Sequence, residues 1–244
     1  MIKTITSGKK ELLYQSNLLN TSIYQSEYVN FDQYKIGIYD VVIPANKTFK
    51  WQNKKNNLII ILFSGKLRVN ATTCGDNTSI VAPAGLSTSF IVDSKSSIHA
   101  LILIKENTTG LDKTVISKHE QQIWYPYKEN GHIHLYLKDI LTPEQIGGCV
   151  YLIDYPETHI TEWHNHTFSH GMYVLNGVYC NQSQYDQTEK YYGPGSFVFG
   201  PKGQVMRHGA AAGQHCYGIF ITDKPFSLNY LSDAEVERAC KNTK

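Results

Sequence analysis

An internal repeat narrows what this chain can fold into more than any other feature. Ile61-Leu62-Phe63-Ser64-Gly65, an apolar run ending in glycine, is followed downstream by the turn Pro83-Ala84-Gly85, and Tyr173-Val174-Leu175-Asn176-Gly177 is followed in the same way by Pro201-Lys202-Gly203. A strand-and-turn unit that occurs twice in 244 residues implies two similar domains, because a single core stops growing near that length. The repeat places an N-terminal barrel over 1–118 and a C-terminal barrel over 119–244, with the polar stretch from Glu106 to Gly131 as their connection.

Short β-rich runs recur between Gly, Asn, Pro and Ser breakers along the whole chain, the rhythm of an all-β protein. Strands are expected at Lys35 to Ile43, Leu58 to Val69, Ile98 to Ile104, Cys149 to Asp154, His159 to His166, Gly171 to Tyr179, Ser196 to Phe199 and Cys216 to Thr222. Two short helices are expected at the periphery. Thr142 to Gln145 has a Thr N-cap ahead of a proline, and Ser232 to Lys241 opens with an S-x-x-E capping box.

Composition removes several function classes. With 41% hydrophobic and 18% charged residues the chain has ample apolar material for a packed core. A formal charge of +2 supplies no field to attract a nucleic-acid backbone, so nucleic acid is not an expected partner. The run Leu58 to Phe63 is far shorter than the roughly 20 residues of a membrane helix, and no membrane association is expected. The N-terminus lacks the apolar core of a secretion signal, and five cysteines scattered without C-x-x-C spacing suit a reducing cytoplasm.

Six of the ten histidines fall between positions 159 and 215. His164 and His166 are two apart, so on an extended strand both imidazoles leave the same face. His170 follows after a three-residue turn, where antiparallel pairing would return it beside them. His208 lies on the strand after the Pro201-Lys202-Gly203 turn. Neutral imidazoles suit Mn, Fe, Ni, Cu or Zn, and several converging in a barrel interior leave room for substrate or water. Gln204 and Met206 share parity with His208 and are expected to line the same cavity, with Gln204 the alternative fourth ligand. Glu162, on the same strand face as His164 and His166, is the candidate general base or orienting partner. His132-Ile133-His134 repeats the H-x-H pattern without a downstream partner and reads as an ordinary strand or linker pair; His159 and His215 read as strand-end or surface residues.

These residues resemble the two signature motifs of the cupin superfamily. His164-x-His166-x3-His170-x6-Gly177 follows the first motif from its leading histidine, with His170 where the family usually has Glu and Thr158 at the opening glycine. Gly195-x5-Pro201-x-Gly203 follows the second, its histidine moved two residues from Met206 to His208, a shift that preserves strand parity. The resemblance implies a bicupin of two tandem β-barrels of the jelly-roll type. Projected through the repeat, the ligand positions of the N-terminal barrel become Gln52, Lys54, Leu58 and Phe90, so that barrel is expected to be metal-free.

The run H-G-M-Y-V-L-N-G-V-Y is further similar to the second barrel of ureidoglycine-aminohydrolase-like bicupins. That resemblance implies one divalent metal, manganese first with Fe, Ni or Zn as alternatives, held by His164, His166, His170 and His208. It also implies C–N hydrolysis of a small polar metabolite in a homo-oligomer. An all-imidazole site also suits an iron-dependent dioxygenase, and four protein ligands also suit a non-catalytic, metabolite-binding bicupin.

Overall fold

The computed structural model describes residues 36–93, 95–129 and 132–241, with the strand segments 4–5, 15–16, 21–22 and 24–31 of the N-terminal stretch. It divides into two units, one of residues 7–122 with 140–147, the other of 1–6, 123–139 and 148–244. Both are built from antiparallel sheets, in the manner of β-jelly-roll barrels.

The strands of the first half are β1 (Thr4–Ile5), β2 (Gln15–Ser16), β3 (Thr21–Ser22), β4 (Tyr24–Phe31), β5 (Ile36–Ile43), β6 (Thr48–Trp51), β7 (Asn56–Ser64), β8 (Leu67–Val69), β9 (Thr72–Cys74), β10 (Thr78–Ala82), β11 (Thr88–Val92), β12 (Ile98–Glu106) and β13 (Val115–Lys118). The unit of residues 7–122 faces a six-stranded sheet of order β13-β10-β7-β12-β5-β4 with a four-stranded sheet of order β6-β11-β8-β9. Its core is hydrocarbon and aromatic: Trp51, Leu58, Ile60, Leu62, Ile80 and Ile102 are buried, and the rings of Phe49 and Phe90 stack 4.7 Å apart. Of the positions projected through the repeat, Leu58 and Phe90 belong to this core, whereas Gln52 and Lys54 are exposed.

Trp51 is 1% exposed, and its indole N–H donates to the Asn56 carbonyl at 3.2 Å. Truncating it leaves both a cavity and an unpaired carbonyl. Trp51→Ala is therefore expected to cost this unit about 3–5 kcal/mol, read as a shift of the urea midpoint with an unchanged slope. A loss under about 1 kcal/mol would mean that the ring does not fill the barrel.

The second half contributes β14 (Tyr125–Glu129), β15 (His132–Leu141), β16 (Cys149–Tyr155), β17 (His164–Asn165), β18 (His170–Gly177), β19 (Tyr179–Ser183), β20 (Asp186–Tyr192), β21 (Phe197–Gly200), β22 (Met206–Ala210), β23 (Cys216–Thr222) and β24 (Asn229–Tyr230). One sheet has the order β1-β21-β18-β23-β16-β15-β14 and the other β20-β19-β22-β17-β24. Helix α1 (Pro143–Ile146) opens with the Thr142 N–H donating to Gln145 Oε1 at 2.9 Å. Helix α2 (Asp233–Lys241) opens with the Ser232 N–H and hydroxyl donating to Glu235 Oε2 at 2.8 and 2.6 Å. No helix among the described residues is long and apolar enough to cross a membrane.

Three sequence expectations change. The apolar run Leu58 to Val69 breaks into β7 and β8 because Gly65 takes φ +93°, a left-handed turn open to glycine. The stretch Glu106 to Gly131 carries β13, a short 3-10 turn at His119–Gln121 and β14, so it is more than a connection. The expected strand His159 to His166 shrinks to His164–Asn165, since Thr158 turns the chain at φ 62° and residues 161–163 leave the ladder.

Candidate metal centre

β17 is two residues long, yet it is pinned on both sides. His164 lies opposite Met206 of β22 and opposite Tyr230 of β24. His208, two residues beyond Met206 on β22, is the diagonal neighbour of His164 on the same sheet face, and His166 shares that face by the alternation of extended backbone. All three rings turn into the barrel, at 0%, 1% and 0% exposure for His164, His166 and His208. Their Nε2 atoms converge: His164 to His208 is 3.1 Å, His164 to His166 is 3.2 Å and His166 to His208 is 3.4 Å. They form a group of three ligand atoms that could hold one metal ion.

The hydrogen bonds on the outer nitrogens fix what these atoms can be. His164 Nδ1 lies 2.8 Å from the Glu162 carbonyl, and His166 Nδ1 lies 3.0 Å from the Ser227 carbonyl. A carbonyl only accepts, so both Nδ1 atoms carry the proton and both Nε2 atoms present bare lone pairs. His208 Nδ1 pairs with the Tyr155 hydroxyl at 3.0 Å, which is able to donate or accept. Whichever way that proton lies, His208 can satisfy at most one of the two lone pairs, and the 3.2 Å contact between His164 and His166 cannot be a hydrogen bond. A cation between them removes the repulsion. Ligand nitrogens about 2.1 Å from an ion stand about 3.0 Å apart at octahedral angles and about 3.4 Å apart at tetrahedral ones, which brackets the observed separations.

Burial reinforces this. It pushes the His164 imidazolium down to about 4, against the opposing pull of the Glu162 carbonyl. Burial first, and then the neighbouring imidazoles, drive His166 and His208 well below their ordinary value. All three are neutral at pH 7, the ligand-competent form. Thr161 braces the arrangement by donating to the His208 carbonyl at 2.9 Å and accepting from the His208 N–H at 3.2 Å.

His170 is beside the three but reaches them differently from the sequence expectation. It opens β18, which lies in the opposite sheet and pairs with Gly200 and Thr222, so the ring approaches from across the barrel. It sits 4.2 Å from the His166 ring and stacks on Phe220 at 5.0 Å. The absence of a Cβ at Gly200 makes room for it: a methyl there would strike His170 Cε1. Its Nδ1 is buried without a partner, and burial pushes its imidazolium down to about 3.

Gln204 and Met206 are both buried, and both amide atoms of Gln204 lack a hydrogen-bond partner. Glu162 differs from expectation. Its side chain is exposed because the strand does not extend back to it, and the residue meets the centre through its backbone carbonyl. The Ser227 carbonyl and the Tyr155 hydroxyl are the functional groups that sequence reasoning did not find. Neither has a local signature, since each lies more than 50 residues from the imidazole it orients. Phe168, Phe220, Phe226 and Tyr179 complete an aromatic wall around the imidazoles.

No protein-family model matches the chain, and no curated protein sequence does. Its architecture is nevertheless shared with solved structures. Protein Ylba from E. coli superposes with a TM-score of 0.69 at 12% identity, covering 93% of each chain. An iolb-like protein from Salmonella typhimurium does so with a TM-score of 0.65 at 11% identity, covering 91% of this chain and 100% of its own. An oxalate decarboxylase from Lactobacillus farciminis, solved as a formate complex, gives a TM-score of 0.61 at 9% identity over 86% of this chain and 83% of its own. Likeness at this level of identity establishes architecture: the chain carries the cupin fold, with a histidine triad able to hold a metal in one of its barrels.

Proposed function

We propose that the C-terminal barrel binds one divalent cation through His164, His166 and His208, with His170 as the fourth imidazole beside them, and works as a metal-dependent enzyme on a small polar metabolite. The observation that carries this reading is the pair of lone pairs held 3.2 Å apart by backbone carbonyls, an arrangement that costs free energy unless a cation lies between them. Manganese is the first candidate, on the resemblance to ureidoglycine-aminohydrolase-like bicupins, with Fe, Ni or Zn as alternatives. The bound cation would polarise a substrate oxygen or supply an activated water.

The residues define the substrate class. Three neutral imidazoles bring no negative charge, and the Glu162 side chain is exposed to solvent. A buried charge is costly unless compensated, so a carboxylate-bearing metabolite is the preferred ligand. The formate complex of the oxalate decarboxylase from Lactobacillus farciminis places a small carboxylate on a protein of the same fold. The aromatic wall would limit solvent around the centre, the three imidazoles would hold the cation to which the substrate binds, and the unpartnered Gln204 amide would offer donors and an acceptor to the substrate's polar end. C–N hydrolysis of the ureidoglycine type is the first reaction class.

The test is to load metal-stripped protein with Mn2+, add ureidoglycine and follow ammonia. Metal-dependent release that disappears in His166→Ala is the expected result. Metal bound in stoichiometric amount without ammonia would overturn the hydrolytic reading, and oxygen uptake with carboxylate substrates would then identify a dioxygenase. The near-zero exposure of all three ligands favours one second reading, a non-catalytic metabolite-binding centre. Water-proton relaxation by bound Mn2+ separates the two, since an enzyme needs an exchangeable position.

A further inference from the structure

His164, His166 and His208 are at most 1% exposed, so neither an ion nor a substrate reaches their Nε2 atoms unless part of the surrounding wall moves. Much of that wall is fixed by backbone hydrogen bonds. The turn after β21 is closed by the Gln204 N–H on the Pro201 carbonyl at 3.2 Å and tied to the His166 carbonyl by the Gly203 N–H at 2.9 Å. On another side the Thr161 N–H donates to the His208 carbonyl at 3.0 Å. The segment 224–228, between β23 and β24, differs. Among the described residues its backbone makes no hydrogen bond to other backbone, and the bonds that hold it run to side chains. The Thr222 hydroxyl donates to the Lys224 carbonyl at 2.5 Å, the Phe226 N–H donates to the Tyr151 hydroxyl at 3.0 Å, and the His166 Nδ1–H donates to the Ser227 carbonyl at 3.0 Å. Phe226 is half-buried, whereas the rings it meets, His166 at 6.1 Å, Phe168 at 6.4 Å and Phe220 at 5.6 Å, are 1%, 0% and 0% exposed. It therefore covers the centre on a side that meets solvent.

We propose that residues 224–228 form a strap that gates access to the centre and closes more tightly when a cation is bound, with Phe226 as the cover and His166 as the coupling element. The inference rests on the metal reading of the triad. A segment with few backbone hydrogen bonds opens at the low end of a protein's stability range, while the ladders around it stay closed. Opening breaks the bond between His166 and the Ser227 carbonyl, and that bond is what fixes the lone pair on His166 Nε2. A cation on Nε2 withdraws electron density from the ring and makes Nδ1–H a stronger donor, so ligation tightens the hold on Ser227. The coupling is reciprocal: what the ion adds to closure, closure adds to the affinity for the ion. Phe226 is thus a positioning residue. It keeps the strap seated, and through the strap it keeps His166 aimed.

The test is amide hydrogen exchange, read by mass spectrometry on the full-length protein at pH 7.5, first chelator-stripped and then loaded with Zn2+ counted per chain. The amides of Lys224, Phe226, Ser227 and Leu228 should exchange about tenfold or more slowly with Zn2+ bound, and those of β8 and β9 in the other unit should not change. Stopped-flow transfer of Zn2+ to and from a chromophoric chelator gives a second measurement. Phe226→Ala should speed both uptake and release by about tenfold, with affinity changed less than either rate, and Phe226→Leu should restore most of the wild-type rates. Far-UV circular dichroism verifies that the variants are folded, and the exchange comparison on the wild type needs no variant. One Zn2+ per chain with equal strap exchange in the stripped and loaded protein, or with rates unaltered in Phe226→Ala, would overturn the gate and leave the metal reading standing. A wild type that retains no Zn2+ would overturn both.

Discussion

His166→Ala is expected to weaken divalent-metal binding by about 100-fold or more, roughly 3 kcal/mol. Removing even an outer partner of a ligating imidazole commonly costs about 10–100-fold, and His166 contributes a donor atom itself. Its Nε2 is within 3.4 Å of both other ligand nitrogens, so two fixed lone pairs cannot replace the three that close around an ion. The expected readout is competition with a chromophoric chelator. Thermal stabilisation by metal should fall in parallel, since a ligand at about 1,000 times its Kd adds about 4 kcal/mol of stability. Thr161→Val, which frees the backbone brace of His208 but keeps all three rings, should cost about tenfold. If His166→Ala binds Mn2+ and Zn2+ as tightly as the wild type, the centre is elsewhere.

Acidification of the metal-stripped protein is expected to have the second largest effect. His164 is pushed down to about 4 and His170 to about 3, in both cases by burial first. In the unfolded chain each titrates near 6.5. Between these values the unfolded state binds protons that the folded state refuses, so stability rises with pH in this window and is lost as pH falls from about 6.5 towards 4. At pH 5 each such group costs about 2 kcal/mol, the two together about 4, and His166 and His208 act in the same direction. Typical domains hold only about 5–15 kcal/mol, so the C-terminal unit should unfold at much lower urea at pH 5 than at pH 7. His170→Gln should remove one proton's share of the slope. Bound metal competes with protons for the ligands, so the loaded protein should hold its stability to lower pH and then lose it together with the ion. Equal urea midpoints for the stripped protein at pH 7 and pH 5 would show that the rings are not buried as neutral groups.

The architecture was readable because repetition and alternation are local properties. The pairs of apolar run and P-x-G turn marked two barrels, and Thr142 and Ser232 marked both helix starts at their caps. Strands without a continuous apolar run escaped notice. Thr78–Ala82 and Thr88–Val92 are mixed in sequence and become strands because neighbours on both sides complete their ladders, whereas the polar Asp186–Tyr192 becomes a strand at the sheet edge by pairing with β19. The expected strand through His159 failed for the converse reason: its β-rich composition could not reveal the turn at Thr158.

By itself the sequence determined that His164 and His166 share a face and that a two-residue displacement of His208 keeps it inward, because a period of two belongs to extended backbone and needs no partner. Only the tertiary structure decided which imidazoles meet. It set His208 diagonally across from His164 and brought His170 in from the opposite sheet, and it buried the rings deeply enough to hold them neutral. It also supplied the carbonyl of Ser227, 61 residues from His166, that fixes a lone pair at the centre. Which nitrogen carries a proton depends on the acceptor that folding places beside it, and that acceptor is a backbone atom common to every residue, with no letter of its own in the sequence.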